Sequence, residues 1–192
     1  MTDSAFVRQF VIEHQEVLET TFAQVADAVA AAGDAIGEAI GHGGTLFLCG
    51  NGGSAADAQH IAAEFVGRFK RNRRPLRALA LTTDSSALTC IANDFNYDEV
   101  FVRQVEAFAA PGDYLLAIST SGCSPNVKKA IDAAHEKGAK VVGLFGKGGG
   151  DCAALVDIAI TVPSNTTARI QEMHILIGHI LCEIVEERLG FA

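Results

Sequence analysis

His60 and Glu64 stand four residues apart among good helix formers, a spacing that puts an imidazole and a carboxylate on one helix face. One helical turn is about 5.4 Å, so a base or metal ligand lies within reach of an acid. Just ahead of them Gly50-Asn51-Gly52-Gly53-Ser54-Ala55-Ala56 follows the apolar stretch Leu46 to Cys49. A buried strand, a sharp glycine turn and a helix opening on small residues leave amide N–H groups aimed beyond the strand end. That cradle suits a phosphate, and the side-chain pair suits proton transfer.

A second loop echoes the first. Leu115 to Ser124 is again an apolar strand, small residues and a helix start, and Ser119-Thr120-Ser121-Gly122-Cys123-Ser124-Pro125-Asn126 crowds four hydroxyls near the new helix. Pro125 suits its first turn. Any one of these hydroxyls, Ser119 or Ser124 above all, could merely cap the helix. Four together point to an anion. Ligands of open parallel sheets sit beyond the carboxyl ends of the strands, so both loops should face one pocket. Gly50 to Ala55 also fits the G-x-G-x-x-A dinucleotide pattern, with Asp84 as a ribose-binding acid. A dinucleotide, however, makes no use of His60, Glu64 or a second hydroxyl loop, whereas a phosphorylated sugar undergoing proton transfer uses all three.

The elements that must position these groups follow from hydrophobic spacing. Phe6, Phe10, Val17, Leu18, Phe22, Val25 and Val29, with His14 as a polar break, give one long helix over the first thirty residues. Its length and more than one apolar edge suggest packing against another copy of the chain. Strands are expected at 45–49, 77–81, 114–118, 140–145 and 158–162, mostly Val-, Ile- or Leu-rich without alternation, as in strands buried on both faces. Helices between them imply right-handed crossovers and a three-layer α/β arrangement, a parallel sheet with flanking helices. Gly33, the run from Gly41 to Gly44, Pro111-Gly112, Gly138 and the run from Gly146 to Gly150 read as punctuation. The last helix, Ile170 to Leu189, carries Ile175, Leu176, Ile180, Leu181, Ile184 and Val185, more apolar side chains than one sheet face can cover.

At 192 residues the chain reads as a single domain, 1–192, with an oligomerisation helix at 1–32 and an α/β core at 45–192. A net charge of −8 argues against a nucleic-acid partner or an anionic membrane surface. Neither a secretory leader nor a membrane span is legible, so the expected location is cytoplasmic. Five scattered cysteines, Cys49, Cys90, Cys123, Cys152 and Cys182, form no Cys-x-x-Cys and read as reduced, mostly packed thiols. The basic run Arg68, Lys70, Arg71, Arg73 and Arg74 reads as a solvated loop, His174 as a packing histidine, and Cys123 as a position tolerant of small residues.

These stretches, with the Asn93-Asp94 pair, Ser119 to Gly122, Arg169-Ile170-Gln171-Glu172-Met173-His174 and the later His179, resemble the sugar isomerase (SIS) fold. Within it they resemble the phosphoheptose isomerases over nearly the whole chain. The resemblance implies a flavodoxin-like doubly wound sheet and conversion of sedoheptulose 7-phosphate to D-glycero-D-manno-heptose 7-phosphate, toward the activated heptose of bacterial surface polysaccharide. It makes Glu64 the general base that moves a proton between C1 and C2 through an enediol, and His179 the acid partner at the oxygens. Substrate contacts fall on Asn51, Gly52, Gly53, Ser54, Asn93, Asp94, Ser119, Thr120, Ser121, Ser124 and Gln171. A zinc ion, one per subunit, would be held by His60, Glu64, Gln171 and His179. A homotetramer acting on a phosphorylated seven-carbon sugar is implied.

Gln171 and His179 are eight residues apart, about 12 Å of helix rise, so one ion touches both only if the side chains lean together or two subunits contribute. A second reading is a non-catalytic SIS-fold adaptor binding the replication initiator; it has no need of an acid and a base facing one pocket, and both are here. A sugar-phosphate-sensing regulator would bring a DNA-binding segment, for which no spare length exists.

Overall fold

The computed structural model describes residues 3–191, so residues 1, 2 and 192 of the expected domain lie outside the described residues. Helix α1 runs over Ser4–Gly41, eleven residues further than expected. It begins at Asp3, whose carboxylate accepts the Phe6 N–H at 3.0 Å, and ends where Gly43 takes φ +92°. Strand β1 (Leu46–Gly50), helix α2 (Gly53–Val66) and the short strand β2 (Ala78–Ala80) follow. Helices α3 (Ser85–Asp94) and α4 (Val102–Phe108) lead to β3 (Tyr114–Ser119). Then come α5 (Pro125–Glu136), β4 (Lys140–Phe145), β5 (Ile158–Thr161) and α6 (Thr167–Arg188).

The five strands pair in parallel in the order β2-β1-β3-β4-β5. β1 connects outward to β2 and β3 outward to β4, so the crevice between β1 and β3 is the switch point where doubly wound sheets bind ligands. Leu46, Leu48, Leu116, Ile118, Val142 and Leu144 turn to one face, under α1, α2 and α6. Phe47, Cys49, Leu115, Ala117 and Val141 turn to the other, under α4 and α5. Burial on both faces explains the uninterrupted apolar strands.

Gly33 does not punctuate the chain. It lies within α1, where a Cβ would come within 2.7–2.9 Å of the Ile184 side chain, and Gly37 faces Arg188 in the same way one turn on. The two glycines let α1 and α6 approach closely, a role that outweighs their cost of about 1 kcal/mol in a helix interior. Only the part of α1 from Thr21 onward is buried. Ahead of it Phe6, Val7, Phe10, Val11 and Ile12 are exposed.

His174 is fully buried, as a packing residue should be, with Nε2 3.0 Å from the Phe145 carbonyl oxygen, which it serves as donor. Burial pushes its pKa down to about 4. All five thiols are free; Cys49, Cys152 and Cys182 are buried, and burial pushes Cys49 and Cys182 up to about 12. Among the described residues no helix is long and apolar enough to cross a membrane.

Candidate functional site

Both loops open at the carboxyl ends of the central strands. Gly50 ends β1 in contact with Ser54 and the Ile118 carbonyl, where a Cβ would not fit, and Gly52 turns the chain into α2 at φ +57°. No side chain caps α2, which leaves its first-turn N–H groups for a bound anion. In the second loop the hydroxyls converge on one another. Ser119 Oγ lies 3.0 Å from Ser124 Oγ and 3.4 Å from Ser121 Oγ, and accepts the Gly122 N–H at 3.1 Å. Ser124 is the residue before α5, yet its side chain makes no capping bond. Its hydroxyl is turned into the loop, so the plain capping explanation fails for it. Thr120 is half-buried beside them. Gly122, at φ +65°, packs against the backbone of Gly149 and Gly150, so the glycine run after β4 backs this loop.

A reciprocal amide pair bridges the two loops. Asn51 Nδ2 donates to Asn126 Oδ1 at 2.8 Å, and Asn126 Nδ2 donates to Asn51 Oδ1 at 2.8 Å. The Tyr97 hydroxyl also donates to Asn51 Oδ1, at 3.1 Å. Asn93 and Asp94 stand exposed at the end of α3, with Asn93 Nδ2 donating to Asp94 Oδ1 at 2.8 Å. Bonds from Asn93 and the Cys90 thiol hold the Asp94 carboxyl below the usual carboxylate range. Tyr97, three residues after Asp94, is the described link from that segment to the first loop.

Helices α2 and α6 lie side by side and matched in direction: Gly53 abuts the Gln171 amide, Ile61 abuts Gly178, and His60 meets His179. His60 Nε2 is 3.0 Å from His179 Nε2 and 3.3 Å from Glu64 Oε1. The ligand atoms of His60, Glu64 and His179 all lie within 4.8 Å of one another. One chain therefore assembles the trio, and no second subunit is needed to bring Glu64 to His179. Gln171 stands apart from it, at Gly53, seven residues or about 10 Å of rise before His60. Of the four expected metal ligands the structure unites three.

The basic run is a solvated loop only in part: Arg68, Lys70 and Arg74 are exposed, whereas the Arg73 side chain is buried in an ion pair. Arg73 Nε bonds Glu186 Oε1 at 2.8 Å, with both side chains 1% exposed. Glu186 also accepts the N–H groups of Phe69, Lys70 and Arg71 at 3.2–3.3 Å. Burial alone would raise the Glu186 pKa; the three amides and Arg73 outweigh it and hold the group ionised, below the ordinary value. Arg73 further donates to the carbonyls of Glu64 at 2.8 Å and Phe65 at 2.9 Å, capping the last turn of α2. The strapped loop sets the Phe69 ring against the His179 imidazole, centroids 5.4 Å apart and planes 21° apart. Arg73, Glu186 and Phe69 thus serve the trio, and sequence reasoning missed them. The legible signal was an acid four residues after Cys182, itself four after Gly178, on the buried stripe of the last helix: such an acid demands a cation, and the arginine run supplies one.

A cavity of about 880 Å³ opens at the opposite, amino ends of the strands, lined by His42, Arg77, Phe108 and Lys140 among others. The site is placed at the carboxyl ends instead, because the uncapped helix start and the converging hydroxyls face each other there, with the trio about 10 Å of helix rise further along α2.

Sugar phosphates fit a switch-point crevice that joins an anion cradle to an acid–base trio, which defines the class as a phosphosugar-binding isomerase of the doubly wound α/β type. The SIS domain family matches residues 9–146. A phosphoheptose isomerase of Geotalea daltonii is 50% identical over 183 residues, 95% of each chain. The structure of phosphoheptose isomerase GmhA from Neisseria gonorrhoeae is 42% identical with a TM-score of 0.90, over 94% of this chain and 97% of that one. A Francisella tularensis phosphoheptose isomerase gives 35% and 0.93, over 97% and 100%. The chain belongs to the phosphoheptose isomerases of the SIS-domain family.

Proposed function

We propose that the chain interconverts sedoheptulose 7-phosphate and D-glycero-D-manno-heptose 7-phosphate through an enediol, with Glu64 and His179 moving the protons. The observation that carries this reading is the convergence of His60, Glu64 and His179 within 4.8 Å, about 10 Å of helix rise along α2 from the Gly53 end of the phosphate loop. In the ketose, Glu64 takes a proton from C1 and the C1–H electrons form the C1=C2 double bond. The O2 atom gains a proton from His179, giving the enediol. Glu64 then returns its proton to C2 while His179 takes the O1 proton, and the aldehyde forms at C1. Atoms balance, and each group ends as it began. The Glu64 side chain is a quarter exposed, and the His179 imidazole is held against the Phe69 ring.

The trio's donor set, two imidazole nitrogens and a carboxylate oxygen, fits a zinc ion with a position left open. A bound zinc would polarise sugar oxygens. His60, Glu64 and His179 are the residues that would hold it, with Gln171 kept as a substrate contact at Gly53. Asn93 and Asp94 serve as hydroxyl contacts of the sugar, and Gly52, Gly53, Ser54, Ser119, Thr120, Ser121 and Ser124 cradle the phosphate.

The assembly is a homotetramer in this reading, supported by the exposed stripe Phe6, Val7, Phe10 and Val11, which lines a groove of about 510 Å³ with His14, Arg169 and Glu172. The acidic surface and a substrate drawn from phosphorylated sugar metabolism support a cytoplasmic location. An adaptor without chemistry finds no support, since the relatives that share a third or more of their residues with this chain, described above, are named phosphoheptose isomerases.

The test is turnover of sedoheptulose 7-phosphate by Glu64→Gln. We expect intact folding and sugar binding with turnover about 10²- to 10⁴-fold lower, the loss of a general base. His179→Asn should match it, and the double variant should lose less than the product of the two single losses, because both residues serve one proton path. Near wild-type turnover in Glu64→Gln overturns the assignment. Mixed tetramers of Glu64→Gln and His179→Asn parents should show no rescue, because each chain carries its own pair.

A further inference from the structure

The resemblance to the phosphoheptose isomerases makes Asn51 a substrate contact, yet its side chain is almost fully committed within the protein. The assignment of its amide is not ambiguous. The Val127 N–H donates to Asn126 Oδ1 at 3.0 Å, which fixes the oxygen end of Asn126. Asn126 therefore receives a hydrogen from Asn51 Nδ2 and returns one to Asn51 Oδ1. With Tyr97 donating as well, both lone pairs of Asn51 Oδ1 are taken. An amide nitrogen has two hydrogens. One goes to Asn126, and among the described residues the other has no acceptor. Asn126 is 2% exposed and sits just after Pro125, where the proline ring fixes the backbone, so the clasp is anchored on the rigid start of α5. It spans the crevice between β1 and β3, where the two loops meet.

We infer that Asn126 and Tyr97 are positioning residues that turn Asn51 into a single, fixed N–H donor toward an oxygen of the bound phosphosugar. Free in water, an Asn side chain presents either end to a ligand. Here three bonds select one end and one direction before substrate arrives, so no ordering is left for binding to supply. The inference rests on the phosphosugar reading and adds two residues to it.

The experiment is a double-mutant cycle on full-length protein with sedoheptulose 7-phosphate, measuring KM, kcat and melting temperature. Asn51→Ala and Asn126→Ala should each raise KM by about 5- to 10-fold, the worth of a hydrogen bond, with KM moving more than kcat. Tyr97→Phe, a change at an exposed ring, should raise KM by a smaller factor without lowering the melting temperature. Placed on the Asn51→Ala background, Asn126→Ala and Tyr97→Phe should each add nothing further to KM, because both act through Asn51. A merely structural role would lower the melting temperature and leave that cycle additive. Additive KM effects, or Tyr97→Phe and Asn51→Ala both at wild-type KM, overturn the inference. Should Asn126→Ala fail to fold, the Tyr97→Phe arm decides alone. Failure of the underlying reading looks different: wild-type protein then does not turn over the sugar at all.

Discussion

The two walls of the pocket are held in different ways. The phosphate wall, Gly52 to Ser54 with Ser119 to Ser124, is shaped largely by nearby residues: glycines at positive φ, hydroxyls bonded within their own loop and helix starts a few residues away, with the Asn51–Asn126 clasp joining its two loops. The acid–base wall is fixed from a distance. His179 reaches Glu64 only because α6 lies along α2, α6 lies there because Gly33 and Gly37 admit it against α1, and the end of α2 is tied by Arg73 to Glu186 over more than a hundred residues. Anion binding can thus be built from short-range turn chemistry, whereas angstrom-level placement of a proton-transfer pair draws on buried tertiary bonds.

That contrast breaks most visibly when the local wall is stripped. Replacing Ser119, Ser121 and Ser124 together by Ala should weaken sugar phosphate and inorganic phosphate alike by 10²-fold or more, since each bond to a charged group contributes roughly 1.5 to 3 kcal/mol. Inhibition by inorganic phosphate reads it out, and stability should change far less than affinity. Unchanged inhibition would put the anion elsewhere.

The distant wall should fail in the opposite sense. Glu186→Ala leaves Arg73 buried without its partner and three N–H groups unsatisfied, an expected loss of about 3–5 kcal/mol in chemical denaturation. Because the strap serves His179 and not the phosphate, surviving folded protein should lose kcat and retain inhibition by phosphate. Because the Glu186 pKa is lowered on folding, its contribution is present above the unfolded value and fades as the pH drops below it.

His174 sharpens the point about distance, since it supports α6 without touching the trio. Its pKa falls from 6.5 to about 4 on folding, so the folded state resists protonation. Stability is full above about pH 6.5 and is lost as the pH falls toward 4, by about 3 kcal/mol at 1.36 kcal/mol per pH unit. His174→Gln should flatten denaturation midpoints between pH 7 and 5 relative to wild type. Smallest of all, Gly33→Val should cost about 1–3 kcal/mol by forcing α1 off Ile184, lowering the melting temperature with little change in phosphate inhibition.

The same contrast explains what could be read from the sequence. The parallel three-layer sheet, both loops and the His60/Glu64 face were legible because each follows from spacing within a short window. β1 was read one residue early and the N-terminal helix eleven short, because Gly33 was taken for a stop; a glycine inside a helix and one after it look alike until the partner, Ile184, is known. Arg73 looked like one more surface cation because its partner lies 113 residues away. Asn126 was visible only as a polar residue in a helix start, and its pairing with Asn51 needed the strand order. The 12 Å between Gln171 and His179 raised the prospect of a second subunit, and the alignment of α2 with α6 removed it for the Glu64 and His179 pair.

The most direct measurement of the central claim is hydrogen exchange during turnover in deuterated water, followed by NMR at C1 and C2 of both sugars. Proton transfer by Glu64 through an enediol predicts solvent deuterium at C2 of the aldose and at C1 of the recovered ketose, and its disappearance in Glu64→Gln. Interconversion with no deuterium in either sugar after many turnovers, or incorporation undiminished in Glu64→Gln, would contradict it.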